Sequence, residues 1–161
     1  MTPRRARAPR GQRAVGSAPR NHGPNVTLLA ALMPDGIGPA MAIEGAVDGA
    51  VFATYLQQVL LPALRPGQVV VRDNLSVHKT ASVRALVEAA GCRLLFLPAY
   101  SPDFNPIEWA FAKLKDRLRR AAARTPAALI AAIGDGLAAI TAADARAFFA
   151  ASGFPLPDQL L

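Results

Sequence analysis

The chain has 161 residues, enough for one domain with a substantial core, and 52% of them are hydrophobic. It contains no uncharged apolar run of about 18 residues, so the composition predicts no membrane span. The basic N-terminus lacks the apolar stretch of a secretory signal. The single cysteine, Cys92, excludes an intramolecular disulfide and predicts a reducing cytoplasm.

The net charge of +7 is unevenly distributed along the chain. Residues 1–25 contain six arginines and no acid, and residues 113–124 contain six basic groups against Asp116. The remaining residues carry six basic and ten acidic groups, a net charge of −4. Two basic patches on a mildly acidic body favour a polyanionic partner, most simply nucleic acid. A disordered arginine-rich tail and a solvated helix face explain the same charges equally well.

The first part of the chain predicts a loop and then a hairpin. Residues 1–25 are rich in Arg, Pro and Gly without hydrophobic periodicity, which is typical of a loop. Two apolar runs of strand length, residues 26–33 and 37–43, are joined by Asp35-Gly36. Asp-Gly between two such runs predicts a β-hairpin.

The middle of the chain predicts alternating helices and strands. Asp48 suits the N-cap of a helix over about residues 49–61. Residues 68–72 and 93–97 are short apolar runs of the kind found inside sheets, and a helix over about residues 80–90 separates them. This strand–helix–strand unit should be parallel and right-handed, with the hairpin adding antiparallel strands to the same mixed sheet.

The last third of the chain predicts helices. A basic helix begins at Pro106 and extends to about residue 123. Its apolar residues recur at four, three and four positions and predict one buried stripe: Ile107, Phe111, Leu114 and Leu118. Thr125-Pro126 predicts the start of the next helix, and Thr141 with Asp144 resembles a capping arrangement for the last.

The linker before the basic helix, residues 97–108, reads Leu-Pro-Ala-Tyr-Ser-Pro-Asp-Phe-Asn-Pro-Ile-Glu. Its prolines keep it out of regular structure, Asn105 suits the N-cap, and Glu108 falls at the third helical position. Glu108 either caps its own helix or points into a site shared with another carboxylate.

Asp73 provides that second carboxylate, because it follows a predicted central strand, where open α/β sheets place their ligands. If the two parallel strands are neighbours, Asp73 and Glu108 can converge at one rim. Two carboxylates with no Cys and few His nearby suit Mg²⁺ or Mn²⁺. Such ions activate water or a 3′-hydroxyl in nucleases and polymerases. With the basic patches, the pair suggests phosphodiester chemistry on DNA.

Each of these residues also has an ordinary structural explanation. Asp73-Asn74 after a strand is often only a turn, and Glu108 near a helix start is often only a cap. Asp103 suits a turn, and His78-Lys79 suits an exposed surface pair.

Two blocks are specific when taken together. Residues 73–79, Asp-Asn-Leu-Ser-Val-His-Lys, follow one strand and residues 97–108 follow the next, with 34 residues between Asp73 and Glu108. These blocks closely resemble the DDE transposases of bacterial insertion sequences related to mariner elements. The resemblance covers nearly the whole chain, and residues 7–13 resemble the loop that precedes the hairpin in that family.

The resemblance implies an α/β fold of the RNase H-like type, a mixed sheet with flanking helices. It implies DNA strand cleavage and strand transfer at transposon ends, with two Mg²⁺ (or Mn²⁺) ions in the complete site. Asp73 matches the family's second acidic metal ligand and Glu108 the third, while Asn74 and His78 match residues beside the metal site. The implied partners are transposon-end and target DNA, oligomers are compatible with the family, and the expected location is the bacterial cytoplasm at the nucleoid.

The basic residues expected to contact DNA come from both patches and from the Asp73 block: Arg4, Arg5, Arg7, Arg10, Arg13, Lys79, Lys113, Lys115 and Arg119. The chain is expected to divide into a basic loop or disordered segment over residues 1–25, a partial RNase H-like catalytic domain over residues 26–154, and a tail over residues 155–161.

The match departs from the family at the first catalytic Asp, which lies on a strand before the Arg/Pro/Gly loop. No acid precedes Asp35, and Asp35 belongs to the predicted hairpin turn. We therefore expect the sheet to lack its central first strand, between the hairpin and the strand that ends before Asp73. We also expect the two-carboxylate site to bind metal poorly, and the chain alone not to cleave transposon ends.

A second reading frame completed by frameshifting, a truncated remnant, or a misplaced start codon would each explain this departure. The first of these makes a separately encoded N-terminal transposase part a partner. Two other functions stay open: a catalytically inactive DNA- or transposase-binding regulator, and another RNase H-like nuclease acting on RNA–DNA hybrids or Holliday junctions.

Overall fold

A computed structural model describes residues 7–15, 25–73 and 80–154. The strands in these ranges are β1 (Val26–Met33), β2 (Gly36–Glu44), β3 (Val69–Arg72) and β4 (Arg93–Phe96). The α-helices are α1 (Gly49–Tyr55), α2 (Thr80–Ala89), α3 (Pro106–Ala121), α4 (Pro126–Ala138) and α5 (Ala142–Ala151). The α/β class, with helices flanking small sheets as in an RNase H-like fragment, is confirmed.

β1 and β2 form the predicted antiparallel hairpin. Gly36, just after the turn, has φ of 136°, a backbone conformation that glycine adopts readily and other residues rarely do. The register pairs Leu29 with Met41 and shifts between Ala30 and Leu32, which marks a β-bulge. The Asp-Gly signal therefore predicted the position of the turn, while the bulge had no signal in the sequence.

Asp48 caps α1 as predicted. Its Oδ1 accepts hydrogen bonds from the backbone N–H groups of Ala50 and Val51, both at 2.9 Å. The chain stays helical beyond α1 but changes its winding, because Leu56–Leu60 is a π-helix and Leu61–Ala63 is a 3₁₀ turn. The predicted helix over about residues 49–61 is confirmed, and its changes of winding had no signal in the sequence.

β3 and β4 pair in parallel, as predicted for the strand–helix–strand unit. Arg72 lies opposite Phe96, the last residue of β4. The N–H of Leu97 then donates to the carbonyl of Arg72 at 2.8 Å, so the pairing continues one residue beyond β4.

The described strands form two separate two-stranded sheets, β1–β2 and β3–β4. In the described residues the hairpin is therefore not hydrogen-bonded to β3 or β4, and the expected mixed sheet is interrupted between them. Both sheets nevertheless border one core cluster, because Leu29 and Ala31 of β1 and Val70 of β3 pack against it. All eight side chains of β1 are only half-buried.

The predicted apolar stripe of α3 faces the protein interior. Leu114 and Leu118 are buried, and Ile107 and Phe111 are half-buried. α3 packs against α4, α5 and β1, which holds it in a fixed orientation on the hairpin.

α4 and α5 begin where the capping signals predicted. The Thr125 hydroxyl accepts from the N–H of Ala128 at 3.1 Å. Thr141 and Asp144 form a reciprocal capping box, in which the N–H of Asp144 donates to Thr141 and the N–H of Thr141 donates to Asp144. In the described part of the chain, no single helix is long and apolar enough to span a membrane; α4 and α5 reach that length only together and are bent by 79°.

The core has two clusters with the hairpin between them. The first surrounds Tyr55 and Val87 and includes residues of α1, the π-helix, α2 and β4. The second surrounds Leu114 and Ile133, where α3 meets α4. The Tyr55 hydroxyl donates to the carbonyl of Pro39 in β2 at 3.0 Å, and burial raises the pKa of this phenol to about 12. This bond fastens the hairpin to the first cluster.

Candidate active site

Asp73 directly follows β3 and is half-buried. The hydrogen bond from Leu97 to Arg72 brings the end of β4 beside it. Asp73 therefore lies at the carboxyl end of a parallel strand pair, where sheets of this type bind ligands. This is the position that the sequence predicted for it.

The linker from β4 to α3 is held by a series of turns. Tyr100 has φ of 58°, in the left-handed region, and Pro102–Phe104 forms a 3₁₀ turn. The N–H of Asn105 donates to the carbonyl of Pro102 at 2.9 Å. Pro106, the first residue of α3, is buried. These contacts fix the start of α3, which carries Glu108.

Glu108 is the third residue of α3 and is exposed. A capping box would require its carboxylate to accept from the N–H of Asn105, but that N–H is used by Pro102. Among the described residues, the Glu108 carboxylate makes no hydrogen bond or ion pair. Of the two roles that the sequence left open, self-capping is therefore not the one adopted here.

The two carboxylates fit a hard divalent cation but do not complete its coordination. Carboxylate oxygens suit Mg²⁺ and Mn²⁺, and Mg²⁺ takes about six oxygen ligands, several of them waters or substrate phosphates. No group of three or more His, Cys, Asp or Glu among the described residues is arranged to hold a metal ion. Asp73, after β3, and Glu108, on α3, would therefore supply only part of such a ligand set.

Lys115 and Arg119 share one face of α3 with Glu108. They follow it at seven and eleven positions, which places the three side chains within about 40° of one another around the helix axis. At about 1.5 Å per residue, Lys115 is roughly 10 Å and Arg119 roughly 16 Å along the helix from Glu108. Within the described ranges neither cation forms an ion pair. We call this set the Glu108 face.

Lys113 lies on another side of α3 and has a carboxylate partner. Its ammonium is 2.6 Å from Oδ2 of Asp144 in α5. The hydrogen bond from Lys113, followed by those from the backbone and side chain of Thr141, lowers the pKa of Asp144 to about 2. Lys113 therefore connects α3 to the capping box of α5, and its charge is less available to a ligand than that of Lys115.

The arginines of the N-terminal patch lie partly in the described segment 7–15. Arg7, Arg10 and Arg13 are exposed there, around a turn in which the N–H of Gln12 donates to the carbonyl of Pro9 at 3.0 Å. The other predicted site and DNA-contact residues lie outside the described residues: Arg4, Arg5, Asn74, His78 and Lys79.

Two arginines that pack against Phe96, the last residue of β4, were not singled out from the sequence. The Arg72 guanidinium is 4.9 Å from the ring centre of Phe52 and 5.9 Å from that of Phe96. The Arg84 guanidinium also lies against Phe96, 5.7 Å from the ring centre, and forms an ion pair with the Glu88 carboxylate at 3.4 Å. Alternation along β3 was the sequence signal for Arg72. It lies two residues after Val70 and therefore on the same, core-facing side of the strand. Their positive charges border the end of the strand pair.

Comparison with protein-family models identifies a match described as DDE superfamily endonuclease, over residues 1–130. A comparison with curated proteins finds no match. The family match includes β1 to β4, Asp73, the linker and the whole of α3.

Proposed function

The chain belongs to the DDE superfamily endonucleases, and from this premise we propose that it is part of a transposase that cleaves transposon ends and transfers the cut strand. Family membership supports a transposase-type nuclease with DNA as its substrate. The observation that carries the proposal is the placement of two carboxylates free of ion pairs among the described residues, Asp73 after β3 and Glu108 on α3. An RNase H-like nuclease of another class is less well supported by the same match.

We propose that Asp73 and Glu108 hold the divalent ions that endonucleases of this superfamily use. When bound, such ions lower the pKa of an attacking water or 3′-hydroxyl and stabilise the leaving oxygen. The chain's own contribution is positional. Glu108 is held on a helix whose start is fixed by Pro106, and Asp73 is held at the end of a hydrogen-bonded strand.

The Glu108 face would orient the DNA. A phosphate backbone following α3 away from Glu108 would meet Lys115 after roughly 10 Å and Arg119 after roughly 16 Å. Ala112 lies between Glu108 and Lys115 along the same side of α3 and leaves room for the backbone to approach. A DNA substrate would place the protein at the bacterial nucleoid.

We further propose that an additional strand completes the sheet between β1 and β3. Neither strand is paired to the other among the described residues, although both border the first core cluster. An incoming strand would bond to both free edges, as in β-strand addition, and cover half-buried apolar side chains. A separately encoded N-terminal transposase part carrying the first catalytic Asp is the partner that fits this gap.

The test uses purified chain, alone and co-expressed with such a part, on labelled transposon-end DNA in Mg²⁺. We expect cleavage by the complex and none by the chain alone. Asp73→Asn and Glu108→Gln should each abolish cleavage, whereas Asp103→Asn, an exposed carboxylate of the same linker, should not. Cleavage by the isolated chain that depends on Asp73 would refute the added strand. A complex that cleaves equally well with Asp73→Asn would refute the site.

A catalytically inactive regulator is the second candidate. It is favoured by the combination of an incomplete carboxylate set in the described residues and an intact basic face on α3. In the same assay this protein would bind DNA and the partner without cleavage, and excess chain would inhibit cleavage by a complete transposase.

A further inference from the structure

The exposed aromatic side chains of this protein are concentrated beside Glu108. The sequence contains ten aromatic residues, all within the described ranges. Only three are exposed: Tyr100 at 103%, Phe104 at 52% and Trp109 at 48%. These three lie within ten consecutive residues around the carboxylate, while the other seven are buried or half-buried. We call these three residues the aromatic rim.

The backbone that carries these three side chains has a defined local structure. Tyr100 occupies the left-handed backbone region, which is unfavourable for a residue with a Cβ atom. Phe104 ends a one-turn 3₁₀ helix, and Trp109 follows Glu108 in the first turn of α3. Because α3 packs on α4, α5 and β1, the Trp109 backbone is rigid while its indole stays half-exposed. The rim is therefore attached to fixed backbone next to a carboxylate.

The positive charges near the rim favour a polyanionic ligand, and the rim itself favours a ligand with exposed aromatic rings. The Glu108 face continues from the rim toward Lys115 and Arg119. A second copy of the chain would bring another charge of +7 against this surface, which opposes self-association at low salt. Unpaired DNA bases carry both features required of the occupant, a π-face for each ring and a phosphate for each cation.

We propose that the aromatic rim stacks unpaired bases of the DNA at the point of strand cleavage. This inference rests on the proposed function and specifies the form of its substrate: a duplex with unpaired nucleotides next to the cut, not a fully paired one. Stacking is tolerant of sequence, because every base offers a ring face. The rim residues are positioning residues for the reacting phosphate, and Glu108 is the group beside it.

The single Trp makes this proposal directly measurable. Trp109 is the only tryptophan in the 161-residue chain, so its emission reports on the rim alone. The full chain is titrated with a duplex carrying a short 3′ single-stranded extension and with a blunt duplex of the same length. We expect quenching of Trp109 emission and tighter binding with the extended duplex. Tyr100→Ala and Trp109→Ala should each weaken binding of the extended duplex by roughly 5- to 100-fold.

Controls separate this inference from the proposed function. Ile130→Ala removes an apolar side chain of similar exposure, 41%, on α4 and should leave both affinities unchanged. Trp109→Phe should retain most of the preference for unpaired bases, and circular dichroism will show whether each variant is folded. Salt-sensitive binding of both duplexes with equal affinity and unchanged emission would overturn the rim proposal alone. No binding of either duplex at low salt would overturn both. Emission that changes with protein concentration, together with a dimer in sedimentation, would assign the rim to a second copy and refute base stacking.

Discussion

Two glycines of α4 provide a quantitative test of how α3 is held in place. Gly134 is exposed, and a Cβ added there meets no atom within 4 Å. Gly136 is buried, and a Cβ added there would collide with Cδ1 of Leu114, a core residue of α3. The two positions share the helix and differ only in what faces them. Their alanine variants therefore separate helix propensity from packing.

Gly134→Ala should raise the free energy of unfolding by about 0.5–1 kcal/mol, since alanine is favoured over glycine inside a helix. Gly136→Ala has the same propensity gain but must displace Leu114, and overpacking of a core costs about 1–3 kcal/mol. The two variants should therefore differ by about 1–3 kcal/mol. This corresponds to a separation in Tm of roughly 2–12 °C for a protein of this size.

Urea and thermal unfolding, followed by circular dichroism, measure both variants against wild type. Equal stabilisation by the two substitutions would show that Leu114 moves aside without cost, and would refute the predicted overpacking at this contact. A Gly136→Ala variant more stable than Gly134→Ala would refute it as well.

Two further predictions concern the charges of α3. Lys115→Ala and Arg119→Ala should each reduce the slope of log affinity for DNA against log salt concentration by about 1. The control, Arg146→Ala on α5, should leave this slope unchanged. Slopes unchanged by both α3 variants would show that the Glu108 face does not contact DNA. Asp144 should stabilise the folded state above its ordinary pKa of 3.8, and this contribution should disappear as pH falls toward about 2, because its pKa is lowered in the folded protein by Lys113. The stability difference between wild type and Asp144→Asn should therefore close between about pH 4 and pH 2 in urea unfolding; a difference that is constant across this window would contradict the ion pair as its cause.

Local signals predicted the helix starts of this protein well. Asp48, Thr125 and the Thr141–Asp144 pair each act on N–H groups two or three residues away, so their effect depends little on the rest of the fold. The stripe of α3 was predicted for a similar reason, since helical periodicity alone determines which side chains share a face.

Long-range arrangement was predicted less completely. The division of the sheet depends on strands that are distant in sequence, and β1 is as apolar as a strand hydrogen-bonded on both edges. The exposure of Tyr100 and Trp109 was not predicted, because hydrophobic pattern assigns aromatic side chains to the interior on average. The roles of Asp73 and Glu108 as metal ligands stay predictions.

The hairpin between the two core clusters has a consequence for how the protein unfolds. Val26 and Leu28 of β1 pack on the second cluster, while Leu29 and Ala31 pack on the first. Unfolding of β1 therefore removes packing contacts from both clusters at once, and neither cluster can unfold at the hairpin while the other stays folded. The amide protons of β1 that bond to β2 should accordingly exchange with solvent only through global opening, which makes this strand the element that joins the two core clusters into a single cooperative unit.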